Sequence, residues 1–550
     1  MRGSPGGSSF EIYAQYEGLS DEQRGLFIGS LMSWDSCACR YKLVYTPPSL
    51  GERRGHSSRC CGPQSNPDPE PEARALIRHV YLPPLRDAVR ELASSNPGRL
   101  ELLLQSVATA ESKADFIQIA SSSLQKIEKH NLLDQAISLL TQDIEQLTTG
   151  VQRQTAHLHF ADATLASLAR DLRLSLSAFG LPRVDLRESG LGYTNLLYLA
   201  CVLVELRKAK DHELTLFLVE EPEAHLHPQL QTATLSYLQE QARKSVSQKG
   251  KQGQHEGRIQ VIVSTHSPVL TARVSPLHLV ILSPEIPVQT LTSETVKDES
   301  EDKGSILEAA SVAGCEPRVV ALRRLNLPAN EVRKLQRYLD VTRGSLLFSR
   351  RVLLVEGISD AIMLGEFGRI LFEGHSQKMA EFRAATIIPV GGVDFAPFVR
   401  LLLTSDIESK CCIASRVVVL TDEDPDCKSA TRPSDLTALG IELKRTSRLS
   451  VHVCPITLEA ALMTKDTKPA LRDAYVALHS RSSEKWDQHL ANADEGSSGK
   501  ALVALLKQSD SSKPEFSQLF VEEFIKHNLG AEMIPSIFCD ALNDLLVAGK

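Results

Sequence analysis

The sequence predicts an α/β protein of two α/β units joined by a linker, and three observations predict it. Two short apolar runs, LTLFLVEEP (214–222) and IQVIVSTHSP (259–268), each end abruptly in polar residues. Buried parallel strands read this way when functional groups sit at their carboxyl ends. A second set of such runs, SRRVLLVEG (349–357), ATIIPVGG, RVVVLTDEDPD and SVHVCPI, recurs with helical sequence between its members. Between about Leu100 and Leu174, apolar residues return at spacings of three and four with almost no Pro or Gly, the period of long amphipathic helices.

Taken in order, residues 1–60 alternate short apolar runs with polar stretches and break at the Pro-rich acidic loop CCGPQSNPDPEPEA. HVYLPPLRDAVREL then starts as a strand and leads into helix. The long helices that follow either pack on each other as an internal subdomain or on a second copy of the chain. SVSQKGKQGQHEG reads as a hydrophilic loop and TSETVKDESEDKGS as an acidic linker. An Arg-rich helical stretch is predicted from Arg318 through Arg333, Lys334 and Arg337 to Arg343. Its arginines suit a solvated face or interdomain seam, or else a track for DNA phosphates. The tail to Lys550 reads as helical.

The 550 residues suffice for about three to four domains. Apolar residues are 42% and charged residues 23% of the chain, which excludes wholesale disorder and fibrous structure. No apolar run reaches the ~18–20 residues of a membrane helix, and the N-terminus lacks the apolar core of a secretory signal, so no membrane partner is expected. The net charge of -7 argues against a wholly basic nucleic-acid coat, but leaves room for a nuclease with a local basic surface. The cysteines do not form a disulfide scaffold, and Cys201 and Cys454 read as buried small apolar groups. Cys37, Cys39, Cys60 and Cys61 lack the spacing of a structural zinc site and are expected to be free thiols. That usage fits a reducing, cytoplasmic compartment.

Two constellations carry chemistry. In the first, LFLVEEPEAHLHP sets Glu220 and Glu221 just after an apolar strand. A carboxylate there holds Mg²⁺ or its water shell in phosphate-transfer ATPases, and a following Glu polarises the attacking water. Upstream, SGLGYTNLLYLACVLVEL puts Ser189, Gly190 and Gly192 at the start of a long helix, where glycine permits close backbone approach and the helix N-terminus favours phosphate. His266 ends the next strand, where an imidazole can sense a γ-phosphate. No G-x-x-x-x-G-K-[ST] string occurs in the chain, so either the N-terminus is truncated or this copy has lost the phosphate cradle, and ATP hydrolysis is in doubt.

The second constellation is a set of carboxylates. VLLVEGISDAIML gives Glu356 at a strand end, Gly357 in the turn and Asp360 at a helix start, while VVVLTDEDPD gives Asp422 and Asp424 at the end of another strand. Several carboxylates from adjacent strand ends supply the oxygen ligands a hard divalent cation requires. Such ions activate water and clamp a scissile phosphate.

The first constellation resembles the ABC/SMC-type ATPase head: Ser189, Gly190 and Gly192 look like the signature motif, Glu220 and Glu221 like the Walker B end, and His266 like the switch histidine. The second resembles the Toprim (topoisomerase-primase) domain, with Glu459 in TLEAALM and Lys513 in SSKPEFSQLF extending the match. A head followed by Toprim is similar to the overcoming-lysogenisation-defect (OLD) family of ATP-dependent nucleases, a layout shared by Gabija-type antiphage nucleases. The resemblance implies a head with a helical dimerisation insertion near 100–174, followed by a Toprim α/β domain. The expected boundaries are 1–325 for an N-terminally incomplete head, 326–348 for a connector and 349–550 for Toprim with C-terminal helices.

It further implies catalysis by Glu356, Asp422, Asp424 and Lys513, with Glu221 acting in the head. Nucleotide would be bound by Ser189, Gly190, Gly192, Glu220, Glu221 and His266. Mg²⁺ or Mn²⁺ would be held as a two-metal site by Glu356, Asp360, Asp422, Asp424 and Glu459. Gly391 and Gly392 match a turn beside that site and shape backbone. The implied activity is metal-dependent nicking or cleavage of DNA, regulated by ATP, in phage defence or DNA processing. The implied partners are DNA, a second copy of the chain and a UvrD-like helicase. A degenerate remnant that dimerises or binds DNA, and a RecF/SMC-type DNA repair ATPase, are the competing expectations. The Toprim acid set weighs against the second of these.

Overall fold

The computed structural model describes the chain apart from residues 1–8, 49–53, 65, 85–97, 149–153, 178–182, 187, 206–210, 248–256, 285–316, 424–432, 480–482, 491–494, 509–511 and 548–550. It divides into two compact units, Gly7–His266 and Ser267–Lys550.

In the first unit, β1 (Phe10–Glu17), β2 (Ala38–Thr46), β3 (His56–Cys61) and β4 (Asn66–Pro67) form an antiparallel sheet in that order. Cys39 and Cys61 turn inward and are buried while Cys37 is exposed, and all four cysteines of this region are free. Burial pushes the Cys39 thiol up to about 11. β5 (Ile77–Leu82) follows, then the short antiparallel pair β6 (Ser175–Leu176) and β7 (Val184–Asp185), then β8 (Leu214–Glu220) and β9 (Arg258–Ser264). β5, β8 and β9 form a parallel sheet with β8 at its centre. Side chains alternate across a strand. Phe217 and Val219 of β8 therefore join a core with Tyr198, Leu199 and Val202 of the Leu191–Glu205 helix. Leu214 and Leu216 pack instead against Phe27, Leu31 and Cys39 of the antiparallel region.

The predicted long helices are Gly98–Val107, Ala110–Glu128 and Asn131–Thr148. The latter two bury no residue completely, and Ile119, Leu132, Leu139 and Leu147 stand exposed along them.

The second unit opens with β10 (Val280–Pro284) and β11 (Pro317–Ala321), which pair antiparallel. Arg318 therefore lies in a strand rather than in the helical stretch expected from its arginines. The β-branched pair Val319–Val320 follows it, and the register sets them opposite Leu282 and Ile281. Helix begins only at Ala329 and runs to Tyr338, and Arg343 starts a 3-10 turn, Arg343–Phe348.

β12 (Arg351–Val355), β13 (Thr386–Pro389), β14 (Arg416–Asp422) and β15 (Leu449–Cys454) form a fully parallel sheet in the order β13-β12-β14-β15. Its central strands are buried on both faces, which explains their unbroken apolar sequence. Leu353, Val355, Val418 and Leu420 point into a core with the helices Ile358–Leu371, Lys468–Leu478, Lys513–Lys526 and Ser536–Leu546. Val352, Leu354, Val417 and Val419 point to the opposite core with the helices Ala396–Leu403 and Pro433–Glu442. Val320, Leu322 and Leu325 belong to that second core. The described residues 267–284 and 317–325 fall in this second unit.

Candidate functional site

β12 delivers Glu356 to the carboxyl edge of the parallel sheet, and the chain turns at once through Gly357 into the Ile358–Leu371 helix. The third residue of that helix, Asp360, accepts a 2.9 Å hydrogen bond at Oδ2 from the Gly357 N–H. A carboxylate in a helix's first turn satisfies one of its otherwise unpaired amides. Glu356 is held on both its backbone and its side chain. Its carbonyl accepts from the N–H groups of Gly391 and Gly392 at 2.8 and 3.1 Å. Its Oε1 accepts from Thr421 Oγ1 at 2.7 Å and from the Asp422 N–H at 2.9 Å. Gly391 has φ +79°, and a Cβ there would lie 2.7 Å from Arg343 Nη2. Arg343 is itself fixed through Nε to the Pro389 carbonyl at 3.1 Å.

Asp422 ends β14, directly opposite Cys454 of β15. Beyond β15 the chain passes Ile456, at φ +70°, to the short Leu458–Ala461 helix, which is capped by Thr457. Glu459 in its first turn is buried. Lys513, the first residue of the Lys513–Lys526 helix, reaches back to it, with Nζ 2.8 Å from Glu459 Oε1. Phe516, Phe520 and Phe524 anchor that helix in the core and so set where the lysine stands.

The electrostatics tie these groups into one cluster. Burial, followed by the charges of Glu356, Glu459 and Asp360, pushes the Asp422 carboxyl up to about 8. Burial likewise raises Asp360 to about 6, against the hydrogen bond from Gly357. Burial works against the Lys513 charge, but Glu459, with Asp422 and Asp360 behind it, leaves the ammonium raised overall. Burial, with Asp422 next, pushes the Cys454 thiol up as well. Neighbouring carboxylates that resist ionising together are what a hard cation would relieve. The donor set is carboxylate oxygen, which suits Mg²⁺ or Mn²⁺.

The structure thus brings together Glu356, Asp360, Asp422, Glu459 and Lys513, while Asp424 lies outside the described residues. Among the described residues, these strand-end carboxylates do not make up a group of three whose ligand atoms all fall within 4.8 Å of one another. Among the described residues, the trio whose ligand atoms fall within 4.8 Å of one another is Asp473, Glu523 and His527 on the outer helices. Within that trio His527 contacts Asp473 at 2.9 Å, and Lys526 from outside it binds Glu523 at 2.6 Å.

In the first unit, Glu220 is the last residue of β8 and accepts a hydrogen bond from the Tyr81 hydroxyl of β5. Glu221 follows in the left-handed region, φ +44°, with its N–H on the Ser264 carbonyl at 2.9 Å and its Oε1 3.8 Å from His266 Nε2. Ser189 and Gly190 precede the Leu191–Glu205 helix, and the Gly190 carbonyl accepts from Tyr193 and Thr194. Gly192 sits so close to the loop after β8 that a Cβ would meet the His225 carbonyl oxygen at 2.8 Å. Asn195 Nδ2 donates to the Ala224 carbonyl at 3.1 Å and fastens the same contact.

Two residues that sequence inspection passed over act inside these sites. Glu223 Oε1 accepts from Thr265 Oγ1 at 2.6 Å and from the His266 N–H at 2.8 Å, so it holds the strand end that carries the histidine. The E-x-E spacing from Glu221 was its only signal. Thr421 had none, since a threonine in an apolar strand reads as core.

The family model described as an AAA ATPase domain matches residues 88–271, and that described as the overcoming lysogenization defect protein-like TOPRIM domain matches residues 347–424. No curated protein matches the chain. Among solved structures, the C-terminal region of the Burkholderia pseudomallei OLD protein is 19% identical, covering 36% of this chain and 98% of that one, with a TM-score of 0.27. The C-terminal region of the Xanthomonas campestris pv. campestris OLD protein is 20% identical, covering 36% and 95%, with a TM-score of 0.26. An SmcHead bound to the C-winged helix domain of ScpA is 15% identical, covering 46% and 73%, with a TM-score of 0.23. Ser189 through His266 fall within the first family match, and Glu356, Asp360 and Asp422 within the second; Glu459 and Lys513 lie beyond it and rest on geometry alone. The chain carries an AAA ATPase domain followed by an OLD-like Toprim domain in a mixed α/β architecture.

Proposed function

We propose that this chain is a metal-dependent DNA endonuclease or nickase that hydrolyses phosphodiester bonds at the Toprim carboxylates. The observation that carries this reading is the gathering of Glu356, Asp360, Asp422 and Glu459 at one edge of a parallel sheet, with Lys513 on Glu459. When bound, two Mg²⁺ or Mn²⁺ ions would activate water and stabilise the leaving oxygen. Glu356, Asp360, Asp422, Glu459 and, by its place in the sequence, Asp424 would hold them. Thr421 and the Asp422 N–H occupy Oε1 of Glu356 and leave its second oxygen for a cation. Lys513 supplies positive charge at the rim of the site, where charge develops on a phosphate in the transition state. The surrounding core keeps these groups in a medium where their charges act strongly.

In the first unit, ATP at Ser189, Gly190, Gly192, Glu220, Glu221 and His266 would regulate access of DNA rather than perform the cleavage. The exposed apolar residues of the Ala110–Glu128 and Asn131–Thr148 helices support a homodimer. A UvrD-like helicase is a further candidate partner. Among the described residues no helix is long and apolar enough to cross a membrane.

Supercoiled plasmid incubated with the purified chain and Mg²⁺ or Mn²⁺, with and without ATP, tests the reading. Nicking that requires metal and disappears in Asp422→Ala supports it. A folded protein that leaves the plasmid intact in every metal and nucleotide condition overturns it.

A further inference from the structure

The Ala329–Tyr338 helix has two faces with different chemistry. Its inner face packs into the unit. Glu331 pairs with Arg400 at 3.1 Å, Leu335 is completely buried, and Tyr338 stacks on Phe398 with ring centroids 5.9 Å apart. At its flank, Lys334 Nζ lies 2.6 Å from Asp394 Oδ2. The outer face carries Arg333 and Arg337, one turn apart and exposed. Arg333 donates through Nε only to the Ala329 carbonyl of its own helix, and Arg337 lies 5.9 Å from the Tyr338 ring centroid. Among the described residues neither has a carboxylate partner. Like charges at this spacing repel by about 0.2–0.5 kcal/mol, so the helix keeps an unfavourable pair that an external anion would relieve.

The position of this face is the second observation. Asp394, which anchors Lys334, belongs to the loop whose Gly391 and Gly392 N–H groups bind the Glu356 carbonyl. Asp394 stands two positions after Gly392, a reach of at most about 7 Å. The helix that carries the cationic face is therefore braced through Lys334 onto the loop that backs the carboxylate cluster. A carboxylate site needs cations nearby to accept a phosphodiester, beyond the Lys513 that pairs with Glu459.

We propose that Arg333 and Arg337 form a contact surface for the phosphate backbone of duplex DNA beside the Toprim carboxylates, an inference that rests on the nuclease reading above. The guanidinium fork suits phosphate oxygens, and such contacts position the duplex without reading its sequence.

The test is the salt dependence of duplex binding by the full chain, followed by fluorescence anisotropy of a labelled oligonucleotide, in wild type and in Arg333→Gln/Arg337→Gln. Each phosphate contact contributes about 0.9 to the slope of log K against log salt, so the double variant should lose about 1.8 of slope. Between about 50 and 200 mM salt its affinity should then fall by about twelvefold less than that of wild type, and its KM for duplex should rise. An Arg243→Gln/Lys244→Gln control makes the same charge change on an exposed helix of the other unit and should keep the wild-type slope. An unchanged slope in the Arg333/Arg337 variant, or an equal loss in the control, overturns the contact surface. If wild type neither binds nor cuts duplex, the nuclease reading itself fails; if it does both and only the slope prediction fails, the nuclease reading stands without this surface.

Discussion

Thr421 Oγ1 donates a 2.7 Å hydrogen bond to Glu356 Oε1, across two neighbouring parallel strands whose residues are 65 positions apart in the chain. The Asp422 N–H adds a second donor to the same oxygen at 2.9 Å. One strand end thus orients the carboxylate of the other. Partners of this kind usually matter 10- to 100-fold for metal affinity or activity, as an order of magnitude about the size seen when outer-sphere residues are removed.

Thr421→Val keeps the shape of a buried side chain and deletes the donor. It should raise the metal concentration for half-maximal cleavage by about tenfold or more, while Thr421→Ser restores it. Equal metal dependence in Val, Ser and wild-type proteins would sink the orienting role.

Asp422 links stability to pH. Its carboxyl is raised from 3.8 to about 8 in the folded chain, so the native state binds more protons than the unfolded state between those values. Stability contributed by the protonated form is fully present below about pH 4 and is lost as pH rises through about 8. Without divalent cation, the melting temperature of the C-terminal unit should therefore carry a falling contribution across that window. Asp422→Asn should flatten this contribution and raise stability near pH 8 while abolishing cleavage. Melting scans in chelator at several pH values give the comparison, and a variant with the same pH profile as wild type contradicts it.

Lys513 and Glu459 form an ion pair in which the glutamate is buried and the lysine half-exposed. Lys513→Met leaves the carboxylate without its partner and should cost about 1–2 kcal/mol, reduced from a fully buried pair by solvent screening. The double variant Lys513→Met/Glu459→Gln should recover most of that stability but not the cleavage. Denaturant unfolding beside plasmid nicking separates the two effects, and a double variant less stable than Lys513→Met would argue against the pairing.

Leu132 and Leu139, seven residues apart on the Asn131–Thr148 helix, are 68% and 66% exposed, an apolar pair on which the proposed homodimer would close. Leu132→Glu/Leu139→Glu should shift the sedimenting mass from dimer to monomer without changing the helical signal. A wild type that sediments as a monomer at micromolar concentration removes the dimer proposal.

Much of this was legible without a structure, for local reasons. Glu220, Glu221, Glu356 and Asp422 each follow an apolar run by one or two residues, so one stretch of sequence shows both the strand and the group at its end, and Asp360 follows Glu356 within the same short turn into helix. The core faces of β12 and β14 were less legible, because a sheet buried on both sides has no alternation to reveal which valines face which helices. Arg318 was misplaced for a related reason: its charge suggested a helix face, whereas pairing with β10 decided a strand.

By itself, the sequence determined the α/β class, the order of the two domains and the acidic residues at their strand ends, since these follow from contiguous patterns. Only the tertiary structure decided that Lys513 meets Glu459 across 54 residues, that Thr421 faces Glu356, and that Glu223 holds the strand end bearing His266. It also decided that Val320, Leu322 and Leu325 join the C-terminal core. These depend on long-range packing, where a side chain's partner is set by which helices cover a sheet and not by its neighbours in the chain.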